Sequence, residues 1–184
     1  MIESALTPFH RTILITLYAT GVRRAELANL KTIDIDSQRM VIHVRGGKGR
    51  KDRDVMLSQK LLDELREHYR RLPRKTSEWL FPGGRWHTAE YPITTKVVWH
   101  ACHQAAQRAG IQKRLHPHTL RHCFATHLLE SGADLRTIQL LLGHHDLKET
   151  TVYLHVSQRH LSAVSSPLDS LSVFASAKDP SRTD

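Results

Sequence analysis

Helical segments with clear start and stop signals recur along this sequence, and one stretch of strand-like pattern interrupts them. Thr7 and Pro8 are typical of a helix N-terminus, and apolar residues at helical spacing then continue until Gly21. Ser58 and Asp134 are comparable N-cap residues further along the chain. We predict helices over about 8–20, 24–31, 59–72, 94–109, 118–131, 135–142 and 147–164, the last with a break.

The interruption lies in the N-terminal third of the chain. Residues 33–35 and 40–44 are β-branched or alternate in polarity, the glycine-rich segment 46–49 supplies a turn, and 52–57 returns. A further short strand is expected over 79–81. The sequence therefore predicts an α+β fold that is mostly α-helical and has a small antiparallel sheet.

Length and composition restrict the class of protein further. The chain has 184 residues, which suits one domain, expected over 1–164, followed by a polar tail over 165–184. No apolar run approaches the length of a membrane span or resembles a secretory signal, so we expect no membrane partner and a cytoplasmic location. Cys102 and Cys123 are expected to be reduced thiols.

The charge balance is the first indication of a partner. The chain carries 27 Lys and Arg against 18 Asp and Glu, a formal net charge of +9, together with 14 His. A basic surface attracts polyanions, of which nucleic acid is the commonest in a cell. The histidines leave a metal enzyme open as an alternative, but they lack metal-ligand spacing and arginines crowd the same segments.

Four short segments carry unusual polar groups at helix ends and turns. Arg23 follows a helix-ending glycine, and Lys48 lies at the tip of a glycine-flanked hairpin. His118 and Arg121 are three residues apart at a helix start, so their side chains can contact one ligand group. The fourth segment, residues 142–146, contains His144 and is followed by Tyr153.

This set of groups suits a phosphodiester attacked by a tyrosine. Attack creates a pentacoordinate phosphorus with additional negative charge, which fixed cations stabilise. Arg23 and Arg121 can each present a guanidinium fork to the non-bridging oxygens. His118 can help to remove the tyrosine proton, and Lys48 is the best placed acid for the leaving sugar oxygen.

In their order and spacing, these segments resemble the catalytic signature of the tyrosine recombinases, the phage-integrase family that includes Xer-like and integron integrases. The resemblance runs from about residue 6 to about residue 156. The threonine-glycine-x-arginine-x-x-glutamate-leucine box contains Arg23 and Glu26, and the glycine-lysine-glycine hairpin contains Lys48.

Two further boxes complete the resemblance. The histidine-x-x-arginine box contains His118 and Arg121, the leucine-glycine-histidine box contains His144, and Tyr153 follows nine residues later. The resemblance implies the catalytic-domain fold of that family and assigns catalysis to these residues, with Glu26 as structural support. It also implies strand cleavage to a 3′-phosphotyrosyl intermediate, rejoining to another strand, and no metal or nucleotide cofactor.

The resemblance further implies double-stranded DNA as the partner, a homo-tetramer on DNA and a monomer in isolation. Family members usually carry an N-terminal core-binding domain, which we expect to be absent here because Met1 stands a few residues before the first helix. The C-terminal tail is expected to be mobile or to dock on a neighbouring protomer. Two related functions remain open: a catalytically silent DNA-binding remnant and a type IB topoisomerase-like activity.

The remaining polar and aromatic residues receive structural or non-specific interpretations. Arg23 could also be a surface arginine paired with Glu26. Contacts to the DNA backbone are expected from Arg45, Arg50, Lys51 and Arg53. An interior, packed location is expected for His122, His127, His145 and His155. Tyr18 and Tyr69 are expected in the core, and Tyr91 in a loop.

Overall fold

The structure of the protein is a computed structural model, and it describes residues 1–46, 52–75, 78–144, 146 and 148–155. The predictions made above for Lys48, Arg50, Lys51, His145 and the tail over 165–184 lie outside these residues.

Seven α-helices and one three-stranded sheet make up the described part of the chain. In chain order they are α1 Pro8–Thr20, α2 Arg24–Ala28, β1 Ile35–Asp36, β2 Val41–Val44, β3 Arg53–Met56, α3 Gln59–Arg71, α4 Thr95–Arg108, α5 Pro117–Glu130, α6 Leu135–Leu142 and α7 Lys148–Thr151. Short 3₁₀ helices lie at Ile2–Ser4, Thr32–Asp34 and Val152–His155. The predicted mostly helical architecture with a small sheet agrees with this order.

Side-chain caps begin the helices where the sequence predicts. The Thr7 hydroxyl accepts from the His10 amide at 3.1 Å, and the Ser58 hydroxyl accepts from the Leu61 amide at 3.2 Å. Asp134 accepts from the amide of the third residue of α6 at 2.9 Å. These bonds satisfy amides that have no partner within the first helical turn.

The sheet is antiparallel in the order β1-β2-β3. Ile35 of β1 pairs with Ile42, and Val44 of β2 pairs with Arg53 at the start of β3. Because side chains alternate between the two faces of a strand, Ile42, Val44 and Val55 are all buried on the helix-facing side. The register therefore places Arg53 on the same side of β3 as Val55.

Two apolar clusters form the core. The larger one joins α1, α2, the sheet, α3 and α4, whereas the smaller one joins α5, α6 and Tyr153. Gly21, in the left-handed conformation with φ 62°, ends α1 between the clusters, where a Cβ would lie 2.4 Å from Phe124 and 3.0 Å from Leu142. This close approach brings the end of α1 against α5 and α6.

Several sequence predictions are wrong in detail. Ile33, expected in a strand, lies in a 3₁₀ turn and is 76% exposed. Residues 79–81 form no strand, and Trp79 makes one isolated bridge to Lys31. Tyr18 and Tyr69, expected in the core, are exposed at the edges of their helices. Their hydroxyls bond instead to His127 Nδ1 at 2.8 Å and to the Lys75 carbonyl at 3.0 Å, so the apolar part packs while the oxygen stays near solvent.

None of the helices in the described part of the chain combines the length and the apolar content that crossing a lipid bilayer requires.

Candidate active site

A cleft of about 400 Å³ lies where α2, α4 and the start of α5 meet. Its lining residues are Val22, Arg23, Arg24, Ala25, Trp99, His116, Pro117, His118 and Arg121. Three of the predicted catalytic residues, Arg23, His118 and Arg121, therefore line one cleft, although about 100 residues of chain separate the first from the other two.

Arg121 is buried at the base of this cleft and is 2% exposed. Its guanidinium donates to the Gly21 carbonyl at 2.6 Å and to the Leu142 carbonyl at 2.5 Å. Burial, followed by the positive charges of Arg23 and Arg53, lowers the pKa of Arg121 to about 10. The side chain therefore remains charged at neutral pH and is fixed by two helix-terminal carbonyls.

Arg23 is held by Glu26, the second residue of the same motif. Glu26 accepts from the Arg23 amide at 2.7 Å and from the Arg23 guanidinium at 2.9 Å. The backbone contact is half of a capping box at the start of α2. The ion pair expected for a surface arginine thus exists, yet the pair lies in the cleft wall with the Arg23 side chain only 27% exposed.

Glu26 also holds Arg53, which reaches it from β3. The Arg53 guanidinium donates to the two Glu26 carboxylate oxygens at 2.9 and 2.8 Å, and its Nε donates to the Leu141 carbonyl at 2.8 Å. Burial opposes ionisation of Glu26, but hydrogen bonds from Arg53 and Arg23 outweigh it and lower its pKa to about 2. Glu26 is therefore an anion at any working pH.

This location disagrees with the prediction that Arg53 contacts the DNA backbone. Its side chain is 10% exposed, because the start of β3 packs against the end of α6. Arg45, predicted for the same role, is 55% exposed at the end of β2 and forms an ion pair with Asp34 at 2.6 Å. Of the two, only Arg45 presents its guanidinium to solvent.

His118 and His122 occupy one face of α5. Their ring centroids are 4.3 Å apart and nearly perpendicular, as expected for residues four apart on a helix. Burial, then the neighbouring His122, Arg121 and Arg23, lowers the pKa of His118. His118 is thus a neutral imidazole at pH 7 and can accept a proton.

His122 is a site residue that the sequence analysis placed wrongly in the interior. It is exposed on α5, and its ring lies 5.5 Å from that of Tyr153. The four-residue spacing from His118 is the signal that could have identified it. His127, also expected in the interior, is exposed as well, where it pairs with Tyr18.

His144 follows α6 directly, after Gly143 ends that helix in the left-handed conformation with φ 62°. Its Nδ1 lies 2.9 Å from the Thr150 hydroxyl, and its ring is parallel to that of Tyr153 at 6.4 Å. Burial, then the charge of Arg121, lowers the pKa of His144 to about 4. This imidazole is also neutral at pH 7.

Tyr153 lies in the 3₁₀ turn that follows α7, within the range 147–164 for which the sequence predicts a helix with a break. It is 3% exposed and belongs to the α5–α6 cluster. Burial raises the pKa of Tyr153, and the positive charge of Arg121 opposes that rise. A nearby base is therefore needed to form the phenolate.

No cluster of three or more His, Cys, Asp or Glu side chains with the geometry to hold a metal ion occurs in the part of the chain that the structure describes. The histidines that gather here alternate with arginines, whose positive charge disfavours a bound cation.

The sequence profile of the phage integrase family matches residues 3–160. A Sinorhizobium fredii protein of the integrase/recombinase type is 51% identical over 173 residues, which are 94% of this chain and 54% of that protein. Tyrosine recombinase XerA of Pyrococcus furiosus is 44% identical over 151 residues, which are 82% of this chain and 51% of that protein. The chain thus spans about half the length of the curated relatives that it matches.

Solved structures give the same result for the fold. A crystal structure of XerA recombinase superposes with a TM-score of 0.76 at 36% identity, covering 88% of this chain and 58% of that one. The XerH site-specific recombinase bound to its difH substrate before cleavage superposes at 0.71 with 26% identity, covering 88% and 49%. These similarities confirm the predicted fold class.

Proposed function

Because the chain belongs to the phage integrase family of tyrosine recombinases, we propose that it cleaves and rejoins strands of double-stranded DNA through a covalent bond to Tyr153. The observation that carries the proposal is the convergence of Arg23, His118 and Arg121 on one cleft, with His144 and Tyr153 beside it. We also propose a cytoplasmic location, which a DNA substrate supports.

The reaction begins with attack of the Tyr153 oxygen on a phosphorus atom of the DNA backbone. A bond forms between this oxygen and phosphorus, and the bond to the 5′-oxygen of the next sugar breaks. The products are a 3′-phosphotyrosyl linkage and a free 5′-hydroxyl. Rejoining reverses these steps with a 5′-hydroxyl from another strand, so that no metal or nucleotide is consumed.

Charge on the phosphate is stabilised by Arg23 and Arg121. Both guanidinium groups are held by protein acceptors before substrate arrives, so little reorganisation is needed when the pentacoordinate phosphorus forms. Charge-assisted hydrogen bonds of this kind contribute about 1.5–3 kcal/mol each.

We propose that the neutral imidazoles and Lys48 carry out the proton transfers. His118 and His144 have pKa values below the usual histidine value and can take the tyrosine proton, directly or through water. The leaving 5′-oxygen is far more basic than a phenolate and requires an acid, for which we propose Lys48, which lies between β2 and β3 in the sequence.

Further parts of the proposal concern DNA binding and assembly. Arg45, together with Arg50 and Lys51 of the same hairpin, would neutralise flanking phosphates without reading sequence. Strand exchange between two duplexes requires four active protomers, which we propose to assemble on DNA from monomers. The tail over 165–184 would link neighbouring protomers in that assembly.

Covalent capture on DNA tests the proposal without knowledge of the recombination site. The full chain is incubated with a pool of duplexes of random sequence in the presence of a chelator. Each duplex carries a nick placed so that cleavage at a candidate scissile bond releases a strand of one to three nucleotides. Loss of the short leaving strand prevents rejoining, so a cleaving enzyme accumulates as an adduct that survives denaturing detergent. We expect adducts with the unmodified protein and none with Tyr153→Phe.

Tyr91→Phe is the matched control, because Tyr91 is 61% exposed and does not line the cleft. This variant should form adducts at the rate of the unmodified protein. An adduct that persists in Tyr153→Phe contradicts the proposed nucleophile. Binding of the DNA pool without any adduct in the unmodified protein identifies a DNA-binding remnant instead of an enzyme.

A further inference from the structure

Three consecutive backbone carbonyls at the end of α6 accept hydrogen bonds from three different arginines. Arg53 donates to Leu141 at 2.8 Å, Arg121 to Leu142 at 2.5 Å and Arg23 to Gly143 at 3.3 Å. The C-terminal end of a helix carries unpaired carbonyls and partial negative charge, so it attracts cations. This helix end therefore gathers guanidinium groups from β3, α5 and the start of α2.

Glu26 joins two of these arginines by a second route. Its carboxylate is 5% exposed, and each of its two oxygens accepts from both Arg23 and Arg53. Three guanidinium groups and one carboxylate leave the cluster with two positive charges. Since Glu26 divides its charge between two partners, Arg23 is not fully neutralised within the cleft wall.

Arg53 itself does not line the cleft and cannot touch a phosphate bound there. Its three donated bonds all point to Glu26 and to α6, which are the two anchors of Arg23. Apart from its charge, which also acts on Arg121, Arg53 can influence a bound phosphate through Glu26 and α6, the two groups that hold Arg23.

On the basis of the proposed function, we propose that Arg53 is a positioning residue that keeps Arg23 available to the scissile phosphate by sharing Glu26 with it. Without Arg53, Glu26 would direct its whole charge at Arg23, and the cluster would retain one positive charge. Arg23 would then bind the Glu26 carboxylate instead of a phosphate.

A purely structural role makes a different prediction. If Arg53 only fastens β3 to α6, any further loss of hydrogen bonds at Glu26 worsens the defect. If Arg53 acts by sharing Glu26, neutralising that carboxylate repairs the defect, because Glu26→Gln in an Arg53→Met background restores two positive charges with Arg23 unpaired. The double variant therefore separates the two roles.

The first measurement is a titration with inorganic phosphate, followed by the NMR signals of the His118 imidazole, which lines the same cleft as Arg23 and Arg121. We expect Arg53→Met to weaken phosphate binding about tenfold, as loss of one charge-assisted hydrogen bond would. Arg53→Lys keeps the charge but cannot bridge both carboxylate oxygens, so a loss of about threefold is expected. It also serves if Arg53→Met does not fold.

The double variant Arg53→Met/Glu26→Gln should recover most of the phosphate affinity lost in Arg53→Met. Arg39→Met is the matched control, because Arg39 is an exposed arginine of the same sheet region that pairs with Asp54 and has no contact with the cluster. It should bind phosphate like the unmodified protein. The same variants are then compared in single-turnover adduct formation on DNA recovered by covalent capture, where the same order is expected.

The outcomes distinguish this inference from the proposed function. Unchanged phosphate affinity in the Arg53 variants, no recovery in the double variant, or no phosphate binding by the unmodified protein overturns the positioning role. Phosphate binding with the expected order of variants, but no adduct in the unmodified protein, upholds the positioning role and overturns strand cleavage.

Discussion

Two sides of the candidate active site differ in how their side chains are held. On one side, Arg23, Arg53 and Arg121 are bound to Glu26 and to the carbonyls that end α6, and the pKa of Arg121, about 10, keeps that side chain charged at neutral pH. On the other side, His118, His122, His144 and Tyr153 meet mainly through ring contacts, and partial desolvation lowers the pKa values of the three imidazoles.

This difference separates two tasks that one phosphoryl transfer requires. Permanent, fixed charge lowers the energy of the pentacoordinate phosphorus, whereas groups that gain and lose protons must have accessible neutral forms. Arg121 connects the two sides, because its charge also lowers the pKa of His144 and opposes the rise in the pKa of Tyr153.

The largest expected effect comes from removing the arginine at the base of the cleft. Arg121→Met leaves the carbonyls of Gly21 and Leu142 buried without their donor, so the free energy of unfolding should fall by about 2–5 kcal/mol. Adduct formation should fall at least about 10²- to 10³-fold. Urea unfolding and single-turnover capture measure the two effects.

Arg23→Met is the comparison, because Arg23 is partly exposed and one of its acceptors, Glu26, keeps Arg53 as a partner. It should lose adduct formation by a similar factor with a loss of stability below about 1 kcal/mol. Equal losses of stability in the two variants would contradict the distinction between Arg121, which is buried and stabilises the fold, and Arg23, which is accessible to substrate.

An intermediate effect is expected from a methyl group at the end of α6. Gly143 has φ 62°, and a Cβ there would lie 3.0–3.2 Å from Arg53. Gly143→Ala should lower the free energy of unfolding by about 1–2 kcal/mol and slow adduct formation about tenfold by moving the carbonyls that hold the arginines.

Gly110→Ala carries the same backbone strain without the contact, since Gly110 has φ 69° and nothing within 4 Å of its added Cβ. Its stability should fall by about 1 kcal/mol, with cleavage unchanged. A cleavage defect of equal size in both alanine variants would mean that loss of stability, rather than displacement of the arginines, slows the reaction.

The smallest expected effect concerns the histidine side and pH. The folded-state pKa of His144 is about 4, below its usual value, so between about pH 6.5 and 4 the unfolded chain binds a proton that the folded chain does not. His144 therefore favours the folded state above this interval and contributes to a loss of stability as pH falls through it.

His144→Gln should make urea unfolding midpoints less sensitive to pH between 7 and 4.5 than those of the unmodified protein. The remaining dependence comes from other groups with lowered pKa values, including His68, His118 and, near pH 4.5, Glu26. An unchanged pH dependence in His144→Gln would show that the pKa of this imidazole is the same in the folded and the unfolded chain.

The same contrast explains what could be predicted from the sequence. Helix limits followed from caps and glycine stops, because Thr7, Ser58 and Asp134 act within one turn of chain. The order of the motif segments predicted which residues would meet. How Arg53 would be used could not be predicted, because its partners lie 27 and 88 residues away in sequence.

Other wrong predictions concern residues whose neighbours in the sequence carried a signal for their true location. Arg53 lies two residues before the buried Val55 on the same strand face, and His122 lies one helical turn after His118. Tyr18 and Tyr69 lie on apolar helix faces, but a phenol can pack its ring and still keep its hydroxyl at the surface. Apolar periodicity predicts on which face of a helix a side chain lies, but it does not predict how deeply each atom of that side chain is buried.

Identification of the protein atom that is joined to DNA tests cleavage through Tyr153 most directly. Captured protein is trimmed with nuclease and digested with trypsin, and the segment 149–159, which contains Tyr153 as its single tyrosine, is sequenced by mass spectrometry. We expect a nucleotide joined through its 3′-phosphate to Tyr153 and a 5′-hydroxyl on the released strand. A nucleotide on another residue, or a 5′-phosphate on the released strand, would contradict it.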